Sequence, residues 1–450
     1  VVKTYYFFQK DFLMALNIFR RLWGDLTPEE YKKFGLLAGI FAFIIGTYWL
    51  MRPLKDALFM NIVGVKYIPY AKMASVVFLI PLIMLYSKLV DMVEKHKLLY
   101  ILPAIYIVFF AVSSLLLAHP TIGIANTIPS KGRIFGWVIY LAIESFGSLI
   151  PGLFWSFLNS TTDSASAKRG YALVVSGAQI GSIAGPEFAK HATAIGLPTL
   201  FLVVSMGLLL VPLLVMWYVK RHPNVDAEVT VSKIGGKKKA TGFTEGLRLL
   251  ISKPYLLGIL GVATLYEVIG TIIDYQMKFM AGEVYHSATK VAEFLGWYGQ
   301  CANILALVFA LVGTSYIIRR FGLRFSLVAF PVTVGVVVCC VWAVPKLWVL
   351  FGAMVAIKGL SYALNNPCKE IMYIPTSKDV KFKASSWISG FGGRTSKAAG
   401  ASTCAFFTNL PSLMFFGSII SLGVVGVWIL VAMYVGTKNH ELVKEGKIVE

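Results

Sequence analysis

The chain has 450 residues, of which 57% are hydrophobic and only 14% are charged. A soluble domain carries about 25% charged residues, so this composition excludes an ordinary water-soluble enzyme, a disordered protein and a disulfide-stapled secreted scaffold. Against the apolar background stand 42 Lys and Arg but only 22 Asp and Glu, a net charge of +20, and the first question is where the basic residues sit.

The first 33 residues mix basic Lys10, Arg20, Arg21, Lys32 and Lys33 with acidic Asp11, Asp25, Glu29 and Glu30. This is neither a secretory signal nor an Arg- and Ser-rich transit peptide. Thr27-Pro28-Glu29-Glu30 reads as a helix start, with Thr as N-cap, Pro in the first turn and acids at the positive dipole end. Twelve stretches apolar and long enough to cross a bilayer follow, at 34–52, 71–90, 98–118, 134–158, 170–189, 196–219, 255–279, 294–318, 325–344, 347–374, 384–405 and 411–436. Pro81, Pro212 and Pro331 lie inside them, which bundled membrane helices tolerate. The longest hydrophilic interval contains Gly235-Gly236-Lys237-Lys238-Lys239 and reads as a solvated linker rather than a nucleic-acid site. The expected organisation is an N-terminal cytoplasmic segment 1–33, a six-helix half 34–219, a cytoplasmic linker 220–254, a second six-helix half 255–436 and a cytoplasmic tail 437–450. The fold class is therefore an all-α membrane protein with twelve transmembrane helices in two pseudo-symmetric halves.

Counting loops by alternating sides places 28 Lys and Arg on the side of the termini and linker and six on the other, namely Lys66, Lys131, Arg133, Lys190, Lys290 and Lys346. The positive-inside rule then puts both termini in the cytoplasm. The halves also resemble each other. Gly177, Gly181 and Gly185 form a small-xxx-small ladder in the fifth span, and Gly392, Ser396 and Gly400 repeat the spacing in the eleventh. Two such halves joined by a cytoplasmic loop are the plan of the major facilitator architecture, whose substrate site lies between them near the midplane.

Eight basic residues fall within or at the ends of spans: Arg52, Lys55, Lys72, Lys278, Lys358, Lys369, Arg394 and Lys397. Six acids share that zone: Asp56, Glu144, Glu187, Glu267, Asp274 and Glu370. Each costs about 2.5–3.5 kcal/mol or more at the centre of a lipid-facing helix, so they must face a wet cavity or one another. A cavity with surplus Lys and Arg suits a polyanion, lysine acting as a point charge for phosphate and arginine as a planar fork. Glu144, Glu267 and Asp274 are then gating or coupling carboxylates that hold the cations between cycles or carry a proton. Lys72, Glu187, Lys397 and Asp56 lie near span ends, where snorkelling or a local salt bridge accounts for them. Lys278 is either an interfacial anchor or a cavity cation. Tyr266, Phe157 and Trp387 are candidates for stacking a nucleobase, although packing explains most membrane aromatics.

Cys301, Cys339, Cys340, Cys368 and Cys404 all fall in expected spans and form no CxxC pair, so no metal site is expected. The chain lacks a GxxxxGK[ST] loop, which argues against an ATP-hydrolysing pump. No catalytic residues and no cofactor are assigned.

Arg52-Pro53-Leu54-Lys55-Asp56, and Pro367-Cys368-Lys369-Glu370 followed by Tyr373-Ile374-Pro375, resemble signatures of the nucleotide transporter family, the ATP/ADP translocases of obligate intracellular bacteria and plastids. The resemblance runs from about residue 30 to 436. It implies that Lys55, Glu144, Glu267 and Lys369 are the family's functional charges. It extends the phosphate-binding set to Lys55 and Lys369, supported by Arg52, Lys278, Lys358 and Arg394. Plastid-type exchangers carry Gly-Ala-Asn in the fifth span where this chain has Gly177-Ala178-Gln179, which makes Gln179 the candidate for specificity. The implied function is ATP/ADP exchange, or nucleotide import from a host cell, by alternating access. The alternatives are a proton-coupled nucleotide or NAD importer, or a sugar-phosphate or organic-anion porter of the wider superfamily. The implied partners are a nucleotide, phosphate or protons as coupled ion, and the lipid bilayer of a bacterial inner membrane, with the protein a monomer.

Overall fold

The computed structural model describes residues 26–221 and 243–449. Most of the expected N-terminal segment and the centre of the expected linker, including Gly235–Lys239, lie outside the described residues.

The chain is almost entirely helical. The long helices are α1 (Pro28–Ile62), α2 (Ile68–Met92), α3 (Lys95–Leu117), α4 (Ile134–Ser160), α5 (Ser164–Ala189), α6 (Leu197–Arg221), α7 (Pro254–Val284), α8 (Ala288–Val308) and α9 (Thr314–Ala343). They are followed by α10 (Leu347–Leu360), α11 (Asn366–Met372), α12 (Lys378–Trp387), α13 (Gly393–Ala405) and α14 (Leu410–Glu445). Among the described residues nine helices are long and apolar enough to cross a membrane. The stretches expected at 170–189, 347–374 and 384–405 are also helical but fall outside that nine. The first is rich in Ser and Gly, and the other two are divided by π-helical turns at Ser361–Asn365 and Ile388–Gly392.

α1 starts where its sequence dictates. The Thr27 hydroxyl accepts from Glu30 N at 3.2 Å while Glu30 Oε2 accepts from Thr27 N at 2.9 Å, a capping box with Pro28 in the first turn. Glu30 also takes Arg169 Nη2 at 2.5 Å, which ties the start of α1 to the start of α5. The helix then runs ten residues beyond the expected end at 52. Arg52, Lys55 and Asp56 ended the apolar run in the sequence, but they face the protein interior rather than lipid, so the helix continues through them. Pro53 lacks a backbone N–H and so frees the Trp49 carbonyl from the helical ladder beside those charges.

The glycine ladder of α5 allows it to lie directly on α1. A Cβ at Gly177, Gly181 or Gly185 would stand 2.3 Å from the carbonyl oxygen of Ala38, Ala42 or Gly46 respectively. The counterpart in the second half has the same use. A Cβ at Gly392 would meet Leu260 at 2.9 Å and one at Gly400 the Val268 carbonyl at 2.8 Å, so the π turn and α13 press on α7 as α5 presses on α1. At one end of the bundle the turn after α1 meets the loop before α4, with Ser130 N donating to the Ile62 carbonyl at 3.1 Å. There a Cβ at Gly282 would touch Met60 at 2.9 Å, so α1 and α7 close on each other. At the opposite end Lys33 Nζ donates to the Thr161 carbonyl at 2.6 Å. At that same end Val449 pairs with the 375–377 turn through Val449 N to Pro375 O at 2.9 Å.

A side chain at Gly181 must therefore separate α1 from α5. Gly181→Ala is expected to destabilise the protein by about 1–3 kcal/mol, the cost of an overpacked contact. Gly152→Ala, with nothing within 4 Å of the added carbon, should leave the melting temperature unchanged or raise it. Thermal unfolding in detergent checks both.

Candidate functional site

Charges read from separate stretches of sequence converge on one cavity of about 260 Å³. Helical spacing explains why. Arg52, Lys55 and Asp56 on α1 are at i, i+3 and i+4, and Lys72, Ser75, Val76 and Leu79 on α2 continue the pattern. Glu144 and Ser148 on α4 are four apart. On α7, Glu267, Gly270, Thr271, Asp274 and Lys278 lie on one stripe. Met354 and Lys358 on α10, and Arg394 and Lys397 on α13, complete the wall. Each helix turns its charged residues toward the cavity on one face.

Seven cations line the cavity against four carboxylates. Lys55 Nζ donates to Glu144 Oε1 and lies 3.7 Å from Asp56 Oδ1. Its ammonium also sits 4.4 Å from the centre of the Tyr140 ring. Lys278 bridges Asp56 Oδ2 and Asp274 Oδ2, both at 2.7 Å, and Lys72 meets the same Asp274 oxygen at 2.7 Å. Lys397 stands 3.7 Å from Glu267 Oε1, which also accepts from the Tyr266 hydroxyl at 2.5 Å. The three remaining cations, Arg52, Lys358 and Arg394, make no ion pair among the described residues. Arg52 lies over Trp49 at 4.9 Å and Lys358 stands 6.0 Å from the Tyr266 ring centre, aromatic faces that offset only part of the cost of a buried charge.

The structure thus brings together five of the six expected phosphate ligands, Lys55, Arg52, Lys278, Lys358 and Arg394, with the carboxylates Glu144, Glu267 and Asp274. Lys369 is half-buried on α11 and is not in the cavity wall; the lysine that pairs with Glu267 within 4 Å is Lys397, with Lys358 also acting on that carboxylate. Gln179, on α5, lies outside the wall as well. Of the expected stacking aromatics, Phe157 is buried against Tyr218 in the core, Trp387 packs by Phe391, and Tyr266 is occupied as the hydroxyl donor to Glu267. The aromatics that do line the cavity are Tyr48 and Tyr140. Lys72, Asp56 and Lys397, attributed to span ends in the sequence, are cavity residues too. Their signal was present in the helical register, since Lys72 and Ser75, and Arg394 and Lys397, share a face, but span-edge position outweighed it. Glu187 and Glu370 are engaged elsewhere, with Lys190 at 2.8 Å and Lys381 at 3.7 Å.

A bundle of membrane-spanning helices around a charged central cavity is a fold of the major-facilitator type. Its backbone superposes on a bacterial homologue of the iron transporter ferroportin in an inward-facing state with a TM-score of 0.59, at 13% identity, covering 91% of this chain and 100% of that one. The chain belongs to the TLC ATP/ADP transporter family, whose sequence pattern matches residues 14–129 and 133–439. It is 24% identical to the chloroplastic ADP,ATP carrier protein 2 of Arabidopsis thaliana over 96% of this chain and 79% of that protein. To ADP,ATP carrier protein 1 of Rickettsia typhi it is 23% identical, over 96% of this chain and 98% of that protein.

The Lys55–Glu144 pair has a consequence for stability that does not depend on substrate. Lys55→Met strands Glu144 and is expected to cost about 3–5 kcal/mol, whereas Lys55→Met with Glu144→Gln should recover most of that loss. Comparing the melting temperatures of the single and double variants checks it.

Proposed function

We propose that this protein carries adenine nucleotides across a bacterial inner membrane by alternating access, exchanging ATP for ADP, with both termini in the cytoplasm. The observation that carries the reading is the cavity's composition: seven cations to four carboxylates, walled by helices from both sides of the linker. Nucleoside di- and triphosphates are polyanions, and the names of the relatives, ADP,ATP carrier proteins, agree with that chemistry. Arg52, Lys358 and Arg394 receive the phosphates first. Lys55 and Lys397 are drawn from Glu144 and Glu267 as the anion settles, and the carboxylates reclaim them when it leaves. A cavity of unopposed positive charge binds a polyanion too tightly to release it, so the carboxylates are as necessary as the lysines. In this reading Lys369 has no direct contact with the substrate, and Lys397 takes the place opposite Glu267.

The pairing favours exchange over proton coupling. Every carboxylate in the cavity wall has a cation within 3.7 Å or less, so the simplest event that frees one is the arrival of another anion. Basic residues concentrated beside the termini and linker support the orientation.

Purified protein in liposomes provides the test. Labelled ATP uptake is expected only when the vesicles contain ADP or ATP. Uptake into empty vesicles that collapses with a protonophore overturns exchange, and uptake of labelled glucose 6-phosphate with no uptake of labelled ATP overturns the nucleotide reading. Lys358→Ala and Arg394→Ala should each weaken nucleotide affinity about ten- to a hundredfold, the size of one charge-assisted hydrogen bond.

A further inference from the structure

Two of the cavity's charged groups on α1 and α2 are joined to two on α7, and this joint does something other than bind cargo. Asp56 on α1 and Lys72 on α2 belong to the first half of the chain; Asp274 and Lys278 belong to the second. The order Lys72–Asp274–Lys278–Asp56 alternates in sign, with 2.7 Å at each of its three contacts. The four groups are neutral together, and each is largely withdrawn from solvent, with side-chain exposures of 20%, 11%, 6% and 5% in that order. All four occupy the same end of the bundle: Lys72 is in the second turn of α2, Asp56 is in the last two turns of α1, and Lys278 is six residues from the end of α7.

Further contacts between the halves gather toward that end. A Cβ at Gly282 would meet both Met60 and Val65. Lys190 donates to Gln300 Oε1 at 2.6 Å while Gln300 donates to Glu187, which joins α5 to α8. Glu293 Oε1 accepts from Thr193 N at 2.9 Å, and the Ser402 hydroxyl lies 3.1 Å from the Met73 sulfur. At the opposite end the contacts seen are within a half: Lys33 to Thr161, Glu30 to Arg169, and Val449 to the 375–377 turn.

We infer that Lys72, Asp274, Lys278 and Asp56 form an ion-pair lock that holds the end of the bundle away from the linker closed, and that a polyanion in the cavity releases it. They are positioning residues, not first ligands of the substrate. The second part rests on the nucleotide reading above; the first does not. Two observations connect lock and cavity. Lys278 lines the cavity as well as bridging both aspartates, so an entering phosphate competes with them for the same ammonium. Asp56 Oδ1 is buried without a hydrogen-bond partner, 3.7 Å from Lys55 Nζ, so the lock's outermost carboxylate is shared with a cargo lysine. A charge lattice that loses one partner leaves the other bare at high cost, and drawing Lys278 or Lys55 toward cargo does that to Asp56.

The test uses the full chain in liposomes with Cys301, Cys339, Cys340, Cys368 and Cys404 replaced by Ser or Ala and Val65→Cys as reporter, labelled by an impermeant maleimide from the side away from the linker. Asp274→Asn and Lys72→Met should each raise the labelling rate at least about tenfold without nucleotide, the signature of a shifted two-state population. If a single variant fails to fold, Lys72→Met with Asp274→Asn leaves Lys278 paired to Asp56 and should show the same rise. Labelling unchanged in these variants overturns the lock. Adding ATP to the reporter protein should accelerate labelling, and no acceleration overturns release by a polyanion. If the variants open but the reporter protein with its lock intact exchanges no ATP, the lock stands and the nucleotide reading is removed instead.

Discussion

Charge inside a hydrocarbon-embedded bundle is the constraint from which the rest of this structure follows. Eleven ionisable side chains line the central cavity, seven basic and four acidic, and a charge on any of them is expensive unless it meets water or an opposite charge. The lining therefore has to be drawn from helices that can bring one polar face inward while exposing apolar faces to lipid. It also has to be assembled from both parts of the chain, because no single helix supplies both signs in sufficient number. α1 and α7 come nearest, and each receives the close approach of a glycine-bearing partner.

That close approach and the charged face are two aspects of one arrangement. On α1, Ala38, Ala42 and Gly46 form the face that receives α5, while Arg52, Lys55 and Asp56 further along supply charge to the cavity. With no side chains between them, α5 and α1 meet backbone to backbone, which fixes the orientation of α1 and hence the direction of its charged face. On α7, Val268 lies under Gly400 while Glu267, Asp274 and Lys278 face the cavity, and Thr271 touches both. The resemblance of the two ladders in sequence is thus a resemblance in what they position.

Much of this is legible in the sequence. The capping box at Thr27, the apolar runs, the ladder spacings and the inference of a basic cavity all follow from local pattern and from the cost of burying charge. Boundaries were less legible wherever function interrupts the apolar pattern. α1 was expected to stop at residue 52 because its charges look like an end, and the spans near 361 and 388 contain π turns that no periodicity announces. Pairing was the least legible. Asp274 and Lys278 are four apart and can be guessed as partners, but Lys72 and Asp274 lie 202 residues apart. Only three-dimensional packing shows that Lys397 rather than Lys369 faces Glu267. The aromatic candidates were hard to place for a related reason: Phe157 and Trp387 are the kind of residue that stacks a base and also the kind that fills a core, and sequence alone does not separate the two.

An ion-pair closure has a property that an apolar one lacks. Two apolar surfaces pressed together resist opening in proportion to the area they bury, whatever the cavity contains. Buried ion pairs add little net stability over well-packed apolar groups, yet they are costly to leave half-broken. A closure made of them is therefore held in place as long as all partners are present and becomes unfavourable when one is diverted. Diversion of a lysine is what a phosphate can do and a neutral solute cannot. With Asp56 between Lys55 and Lys278, and Lys278 reaching both aspartates, the same chemistry that recognises the anion can govern whether the far end of the bundle opens. Selectivity and gating then need no long-range relay, because they share adjacent residues on the last turns of α1.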